Sequence, residues 1–295
     1  MKRFASILRP LFLSVLFVGA AAAAPEPGIT LYHVGYDNSP LINFGAYTGL
    51  ENPNYQRLTF LLSHTFPENA TSNHFHRIGA YSYTGSPSDP QPGFSANNRV
   101  PEPYQMDDGL SLLPGSGVFA GKLISGLGPA AYPGDEIEQE YGDTTIAPID
   151  NLFQYDNAAD PDGDFDFHPG HYLLNASGGA YKQSIANATV GLKLVGLTPG
   201  LTIHDGSGSV VMDAVNDSVV LGPGADWAFE PVFAVGAATP AGATYEATFV
   251  LQDLSPTPAF GDSAEFTFAF VAVPEPSSAA AVLAALAAGL ARRRR

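Results

Sequence analysis

The second half of the chain is divided into short apolar runs by glycine, proline and asparagine. Each run has the length of one strand, and side chains alternate within it, as Phe266, Phe268 and Phe270 show. Evenly spaced runs of this kind are typical of antiparallel sandwiches. We therefore predict an all-β protein built as an antiparallel, jelly-roll-like β-sandwich. The predicted strands are residues 189–197, 209–215, 218–221, 227–235, 244–251 and 264–273.

The first half of the chain is rich in histidine and the second half is not. This change in composition predicts two sandwich domains, residues 25–184 and 185–272. Six of the seven histidines lie in the first, and the second contains only His204. Residues 86–134 are rich in proline, glycine and asparagine and predict long loops with short strands, one of them within residues 115–124. We interpret the second domain as a scaffold.

A histidine-rich stretch, residues 58–85, is the most informative part of the first domain. It contains His64, His74 and His76 in two alternating runs around a short polar loop. Side chains repeat every two residues along a strand, so His74 and His76 point to the same face. If the runs pair antiparallel, His64 lies beside that pair. The pattern predicts a zinc site, because zinc takes neutral imidazole nitrogens as ligands. The alternative is a polar strand end with histidines packed against aromatic rings.

Three further histidines are candidates to complete this site. His33 lies in an early aromatic strand, where a structural role is the alternative. His168 and His171 flank a Pro-Gly turn that can direct both rings to one side. The alternative for this pair is a polar turn before a strand at residues 172–175.

An acidic run precedes that turn, with alternating Asp160, Asp162, Asp164 and Asp166. Its spacing departs from the calcium-binding EF-hand loop, because glycine comes at the fourth position and His171 stands at the twelfth. Calcium is therefore a weak hypothesis beside zinc, and an acidic turn between two strands is the alternative.

Both ends of the sequence predict export. Residues 1–24 combine Lys2 and Arg3, an apolar run and an alanine tract, as a secretory signal peptide does. Cysteine is absent, which excludes disulfides and thiolate metal sites. Residues 273–295 begin with a VPEP motif and end in an apolar run of residues 279–291 and four arginines. That run is shorter than the roughly 20 residues of a membrane helix. A short apolar run followed by a terminal charge cluster is typical of a sorting tail that is cleaved off.

The tail resembles the PEP-CTERM sorting signal, whose motif corresponds to Val273, Pro274, Glu275 and Pro276. The resemblance implies recognition by an exosortase, transient anchoring through a short transmembrane helix, and delivery to the periplasm, the outer surface or an extracellular polysaccharide matrix.

Charge excludes one class of partner. Between the two ends, six basic residues remain against 28 acidic ones, a net charge of −22. A protein this acidic is not expected to bind nucleic acid.

The runs LYHVG, LTFLLSH, NHFHRIGAYSYTG and FHPGHY together resemble the zinc-repressor-regulated PEP-CTERM proteins of cyanobacteria. This resemblance implies an extracytoplasmic zinc-binding protein made when zinc is scarce. The positions that match are His33, His64, His74, His76, His168 and His171.

Three functions follow from these patterns. We expect a non-catalytic zinc-binding protein that buffers the metal or hands it on. The alternatives are a structural surface or matrix protein without metal chemistry, and a metal-dependent enzyme. No HExxH motif and no GxSxG elbow is present, so the sequence names neither a general base nor a serine nucleophile.

Overall fold

The computed structural model describes residues 29–274. The expected signal peptide and residues 275–295 of the expected sorting tail, with Glu275 and Pro276, lie outside the described residues. Val273 and Pro274 lie within them, and the amide of Val273 donates to the carbonyl of Leu112 at 2.9 Å. No helix in the described part of the chain is long and apolar enough to cross a membrane.

The all-β prediction is confirmed, since strands dominate the described residues. The strands are β1 (Tyr32–Tyr36), β2 (Leu58–His64), β3 (His74–Ile78), β4 (Tyr81–Ser86), β5 (Asp89–Phe94), β6 (Arg99–Val100), β7 (Leu110–Pro114), β8 (Lys122–Ile124), β9 (Ile146–Pro148), β10 (Thr189–Leu197), β11 (Thr202–His204), β12 (Val210–Met212), β13 (Ser218–Pro223), β14 (Val232–Gly236), β15 (Thr244–Asp253) and β16 (Phe266–Ala272). The α-helices are α1 (Glu136–Tyr141) and α2 (Pro169–Asn175), and short 3-10 turns span Ala70–Ser72, Gly117–Phe119, Pro129–Ala131, Ile149–Tyr155 and Ala176–Gly179.

A four-stranded sheet in the order β3-β2-β1-β9 carries the histidine-rich stretch. Its two faces are buried against different cores because side chains alternate along each strand. Tyr32, Phe60 and Ile78 point into the main core, which this sheet shares with the large sheet. Leu61 and Phe75 point the other way, into a second core completed by α2. We call these the main-core face and the second-core face.

The large sheet has ten strands and nearly closes on itself. Its order is β12-β11-β14-β8-β7-β16-β15-β10-β13, and β6 also pairs with β16. The two end strands, β12 and β13, follow each other in the chain and lie close together. Most pairs are antiparallel as predicted, but β16 pairs parallel with β6 and β7, and β1 pairs parallel with β9. A small separate hairpin joins β4 and β5.

The expected boundary at residue 185 does not separate two cores. Strands β6, β7 and β8 come from the first half of the chain, yet they complete the sheet of the second half. The ring of Phe60 stacks on that of Phe266 at 4.4 Å, which joins the two sheets across the main core. Aromatic side chains from both halves are therefore buried in one apolar interior.

One strand prediction is wrong. Residues 172–175 belong to helix α2, not to a strand. His168 caps this helix, because its Nδ1 accepts the amide of Gly170 at 3.0 Å, and Pro169 occupies the first turn. Proline is favoured there because the first helical amides have no partner within the helix. The run at residues 115–124 is also shorter than predicted, since only Lys122–Ile124 is a strand and Gly117–Phe119 forms a 3-10 turn.

Candidate metal centre

Pairing of β2 with β3 brings three histidines together at one corner of the small sheet. His64 lies directly opposite His74, and His76 lies opposite Leu62. All three point to the main-core face, because cross-strand partners share a face and His74 and His76 are two residues apart. One ligand nitrogen from each of the three lies within 4.8 Å of the others. The sequence predicted this convergence from strand alternation together with an assumed antiparallel pairing of the two runs.

The distances between the ring nitrogens are short. Nε2 of His74 lies 2.9 Å from Nε2 of His76. Nδ1 of His64 lies 3.1 Å from the same atom of His76. Two such nitrogens are held this close either by a hydrogen between them or by a shared cation.

The other ring nitrogens decide where the protons are. Nδ1 of His74 lies 2.8 Å from the carbonyl oxygen of Ser72, which can only accept, so this nitrogen carries the hydrogen. Nδ1 of His76 lies 2.6 Å from the carboxylate of Glu102, which assigns its hydrogen in the same way. In the neutral rings, Nε2 of both residues is therefore a bare lone pair. The two lone pairs face each other and cannot hydrogen-bond without a cation.

His64 contributes a third neutral donor. Burial, and then the neighbouring charges of His76 and His74, lower the pKa of His64 to about 4. Its Nε2 lies 3.6 Å from a carboxylate oxygen of Glu140, whose own pKa is raised, chiefly by burial. In the tautomer that carries its hydrogen on Nε2, His64 presents a bare Nδ1 to His76. Three lone pairs then converge on one point.

Glu102 supports the centre from behind. Its side chain is 2% exposed, and its Oε2 accepts hydrogen bonds from the hydroxyls of Tyr104 at 2.9 Å and Tyr141 at 3.4 Å. Burial, and then the charge of Glu102, raise the pKa of Tyr141, so this phenol remains a donor. A carboxylate behind a ligating histidine orients the ring and makes its outer nitrogen more basic. Sequence reasoning missed Glu102, since 26 residues separate it from His76 and no spacing pattern links the two.

Two of the three nitrogen separations are close to those around zinc. Tetrahedral zinc with nitrogen ligands at 2.0–2.1 Å separates neighbouring nitrogens by about 3.3 Å. The separations from Nε2 of His76 to the nitrogens of His74 and His64, 2.9 and 3.1 Å, differ from this by a few tenths of an ångström. All three nitrogens lie within 4.8 Å of one another.

The structure places His33 on the other side of the sheet. It lies one residue after Tyr32 and opposite Leu61, so alternation turns its ring to the second-core face. Both ring nitrogens are engaged there, Nε2 with the hydroxyl of Thr30 and Nδ1 with the hydroxyl of Ser63, each at 3.0 Å. Burial lowers the pKa of His33 to about 3. The ring acts as a buried neutral link between β1 and β2.

His168 and His171 also lie apart from the triad, at the start of α2. The ring of His168 stacks on Tyr155 at 4.0 Å, and its Nδ1 is occupied by the helix cap. His171 stacks on Phe167 at 4.2 Å, with Nδ1 3.5 Å from the carboxylate of Asp156. Helix α2 packs in the second core, so these rings lie behind the sheet as seen from the triad.

The acidic run closes a loop. Oδ2 of Asp160 accepts the amides of Asp164 and Phe165 at 2.8 and 3.0 Å, while Asp162 and Asp166 are exposed. Within residues 29–274, the triad is the one group of three or more metal-ligating side chains with ligand atoms this close together. The calcium hypothesis therefore gains no geometric support here.

Comparisons of the chain with protein-family models, with curated proteins and with solved structures found no match. The case for function therefore depends on the geometry of the triad.

Proposed function

We propose that this protein binds one zinc ion through His64, His74 and His76 as a non-catalytic, exported protein that buffers the metal or hands it on. The observation that carries the proposal is the convergence of imidazole nitrogens without hydrogens. In His74 and His76 the hydrogen is on the opposite ring nitrogen, which donates it to the carbonyl of Ser72 and to the carboxylate of Glu102. Bare lone pairs 2.9 Å apart repel each other unless a cation lies between them. Export, and delivery by an exosortase, rest on the two ends of the sequence.

The donor set favours zinc over calcium and magnesium. Imidazole nitrogens suit zinc and other late transition metals, whereas calcium and magnesium need oxygen ligands. A Glu102–His76–metal arrangement is common around protein-bound zinc. Copper(II) binds such donors more tightly in general, so selectivity depends on geometry and on the supply of each metal.

Partial exposure supports buffering over permanent structural binding. The side chains of His64 and His76 are 24% and 18% exposed, so solvent reaches the centre. Three protein ligands also leave one zinc position open, in contrast to closed four-ligand structural sites. An ion held in this way can exchange with an external ligand.

Zinc titration of the purified protein against a competing chelator tests the proposal. We expect one zinc per chain, lost in the His74→Ala/His76→Ala double variant. Affinity should fall as the pH is lowered, because an imidazole must be deprotonated to bind the metal.

The matched control is the His168→Asn/His171→Ala double variant, which also removes two histidines and keeps a good helix cap at position 168. It should bind zinc like the unmodified protein. Absence of stoichiometric zinc in the unmodified protein would contradict the proposal and favour a structural surface or matrix protein.

A further inference from the structure

A cleft of about 730 Å³ adjoins the triad and follows the outer edge of β3. Four consecutive residues, His74 to Arg77, line it. Neighbouring side chains of a strand point to opposite faces, so a cleft that touches all four runs along the backbone edge of the strand. β3 is the end strand of the small sheet, so no described strand pairs with it on this side.

Aromatic side chains form the walls of the cleft. The loop between β1 and β2 contributes Phe44 and Tyr47, hairpin β4-β5 contributes Tyr81, and Tyr104 stands beside the triad. Phe44 and Tyr104 are 62% and 59% exposed. Large exposed rings around an unpaired strand edge are suited to contact with another chain.

One basic side chain and two acidic ones line the cleft, and both acids, Asp37 and Glu102, are already engaged by hydrogen bonds. Arg77 is the one lysine or arginine among the described lining residues, and its guanidinium lies 5.8 Å from the centre of the Phe44 ring. No carboxylate forms a salt bridge with it among the described residues, although acidic residues outnumber basic ones in the chain by 29 to 13. A ligand with a carboxylate would complement this group.

We propose that the cleft binds an extended peptide segment of a partner protein, which adds to β3 as a fifth strand of the small sheet. This inference rests on the proposed zinc site. The peptide presents a metal-donor side chain, His, Asp or Glu, on the main-core face, where zinc held by the triad has an open position. The adjacent residue of the peptide turns to the second-core face and presents a carboxylate to Arg77.

Strand geometry sets the pattern of the peptide. His76 and Arg77 are neighbours and point to opposite faces, so the two peptide side chains that meet the zinc and Arg77 are also neighbours in sequence. Backbone hydrogen bonds to the edge of β3 supply affinity that does not depend on side chains. The donor side chain is the route by which zinc passes between the two chains.

Peptide binding to the full chain, followed by fluorescence anisotropy, tests this. The probe is a labelled Thr-Val-His-Glu-Val-Thr peptide, blocked at both ends. Three comparison peptides are used. In Thr-His-Val-Glu-Val-Thr the donor and the acid share a face, and in the second peptide Glu is replaced by Gln. The third is the probe with its backbone amides N-methylated along both edges, so that neither edge can donate hydrogen bonds to β3. Zinc alone is titrated first, without peptide.

We expect the probe to bind zinc-loaded protein at least tenfold more tightly than chelator-treated protein. Arg77→Gln and the Glu→Gln peptide should each weaken binding severalfold, with no further loss when combined, and Arg77→Lys should restore part of it. The control Lys193→Gln, at a half-buried lysine of β10 outside the cleft lining, should have no effect.

Three outcomes would overturn the inference: equal binding of the N-methylated peptide, equal binding of the same-face peptide, or equal binding with and without zinc in a protein that binds zinc normally. In each case the proposed zinc function survives. Failure of the unmodified protein to bind zinc in the first titration would overturn both.

Discussion

Oε2 of Glu102 lies 2.6 Å from Nδ1 of His76. Because the carboxylate accepts a hydrogen from this nitrogen, the opposite nitrogen of the ring is left without one, and that nitrogen faces both His64 and His74. A buried acid thus determines which atom of an imidazole, 18% exposed, is free to bind a cation.

Glu102→Gln should lower zinc affinity by about 10- to 100-fold, the usual effect of losing a carboxylate behind a ligating histidine. The amide can donate to His76 as well as accept from it, so the ring is no longer restricted to one tautomer. Competition titration with a chromophoric chelator measures the change. The exposed Glu265→Gln is the control and should leave affinity unchanged. Equal affinity of both variants would show that Glu102 does not orient His76.

His33 should make the metal-free protein less stable in mild acid. Its pKa is about 3 in the folded state and near 6.5 in the unfolded chain, so the unfolded state takes up the proton first. The contribution of neutral His33 to the free energy of unfolding is complete above pH 6.5 and is lost as the pH falls from there towards 3. This one group should lower the free energy of unfolding by about 2 kcal/mol between pH 7.5 and pH 5.

Urea unfolding with chelator present measures that effect. His64 acts in the same direction, since its pKa is also lowered, so the comparison is with His33→Gln. The variant should lose about 2 kcal/mol less than the unmodified protein over this pH range. Parallel pH profiles of the two proteins would contradict the assignment.

Tyr32 should tolerate loss of its hydroxyl. The side chain is fully buried, and its hydroxyl is the one buried side-chain polar atom without a hydrogen-bond partner among the described residues. Tyr32→Phe removes an unsatisfied group and should leave the free energy of unfolding unchanged or raise it by about 1–3 kcal/mol.

Tyr132→Phe is the matched change at a satisfied hydroxyl, which accepts the amide of Gly126 at 2.7 Å and donates to the carbonyl of Ser111 at 3.2 Å. It should destabilise the protein by about 1–3 kcal/mol, because it leaves buried backbone groups unpaired. Thermal or urea unfolding of both variants decides the point. Equal losses would indicate that the hydroxyl of Tyr32 has a partner after all.

Zinc should raise the free energy of unfolding, and above the dissociation constant the gain should grow with the logarithm of the free zinc concentration. A ligand that binds only the folded state adds about 2.7 kcal/mol at a free concentration 100 times its dissociation constant. Urea unfolding with buffered zinc should show this gain, and excess chelator should remove it. The His74→Ala/His76→Ala variant should show no gain. A gain that persists in this variant would place the bound zinc elsewhere.

Strand alternation and an assumed antiparallel pairing were enough to predict the triad, because His64, His74 and His76 belong to neighbouring strands with a short loop between them. The same rule, applied to His33, turns its ring away, since it pairs with Leu61 on the second-core face. The sequence alone could not show this, because the partner strand and its register were unknown. The contacts of Glu102 with His76 and of Arg77 with Phe44 join segments that are distant in sequence, so no local pattern predicts them.

The fold class could be read from periodicity, whereas its division into domains could not. Alternation in residues 189–197 predicts β10 to the residue. Nothing in residues 110–114 indicates that β7 pairs with β16, which follows more than 150 residues later. For α2, the short run after Pro169 suits either a strand or a helix, and the cap from His168 and packing in the second core decide for helix.

The place of β16 in the large sheet determines when the protein can fold. It is the most C-terminal of the described strands, yet it lies in the middle of the sheet, between β7 and β15, and pairs with β6 as well. In a chain made or translocated from its N-terminus, β6 has no partner strand and β7 can pair only with β8 until β16 has emerged. Contacts so distant in sequence make folding slow and leave apolar strand edges open to aggregation meanwhile.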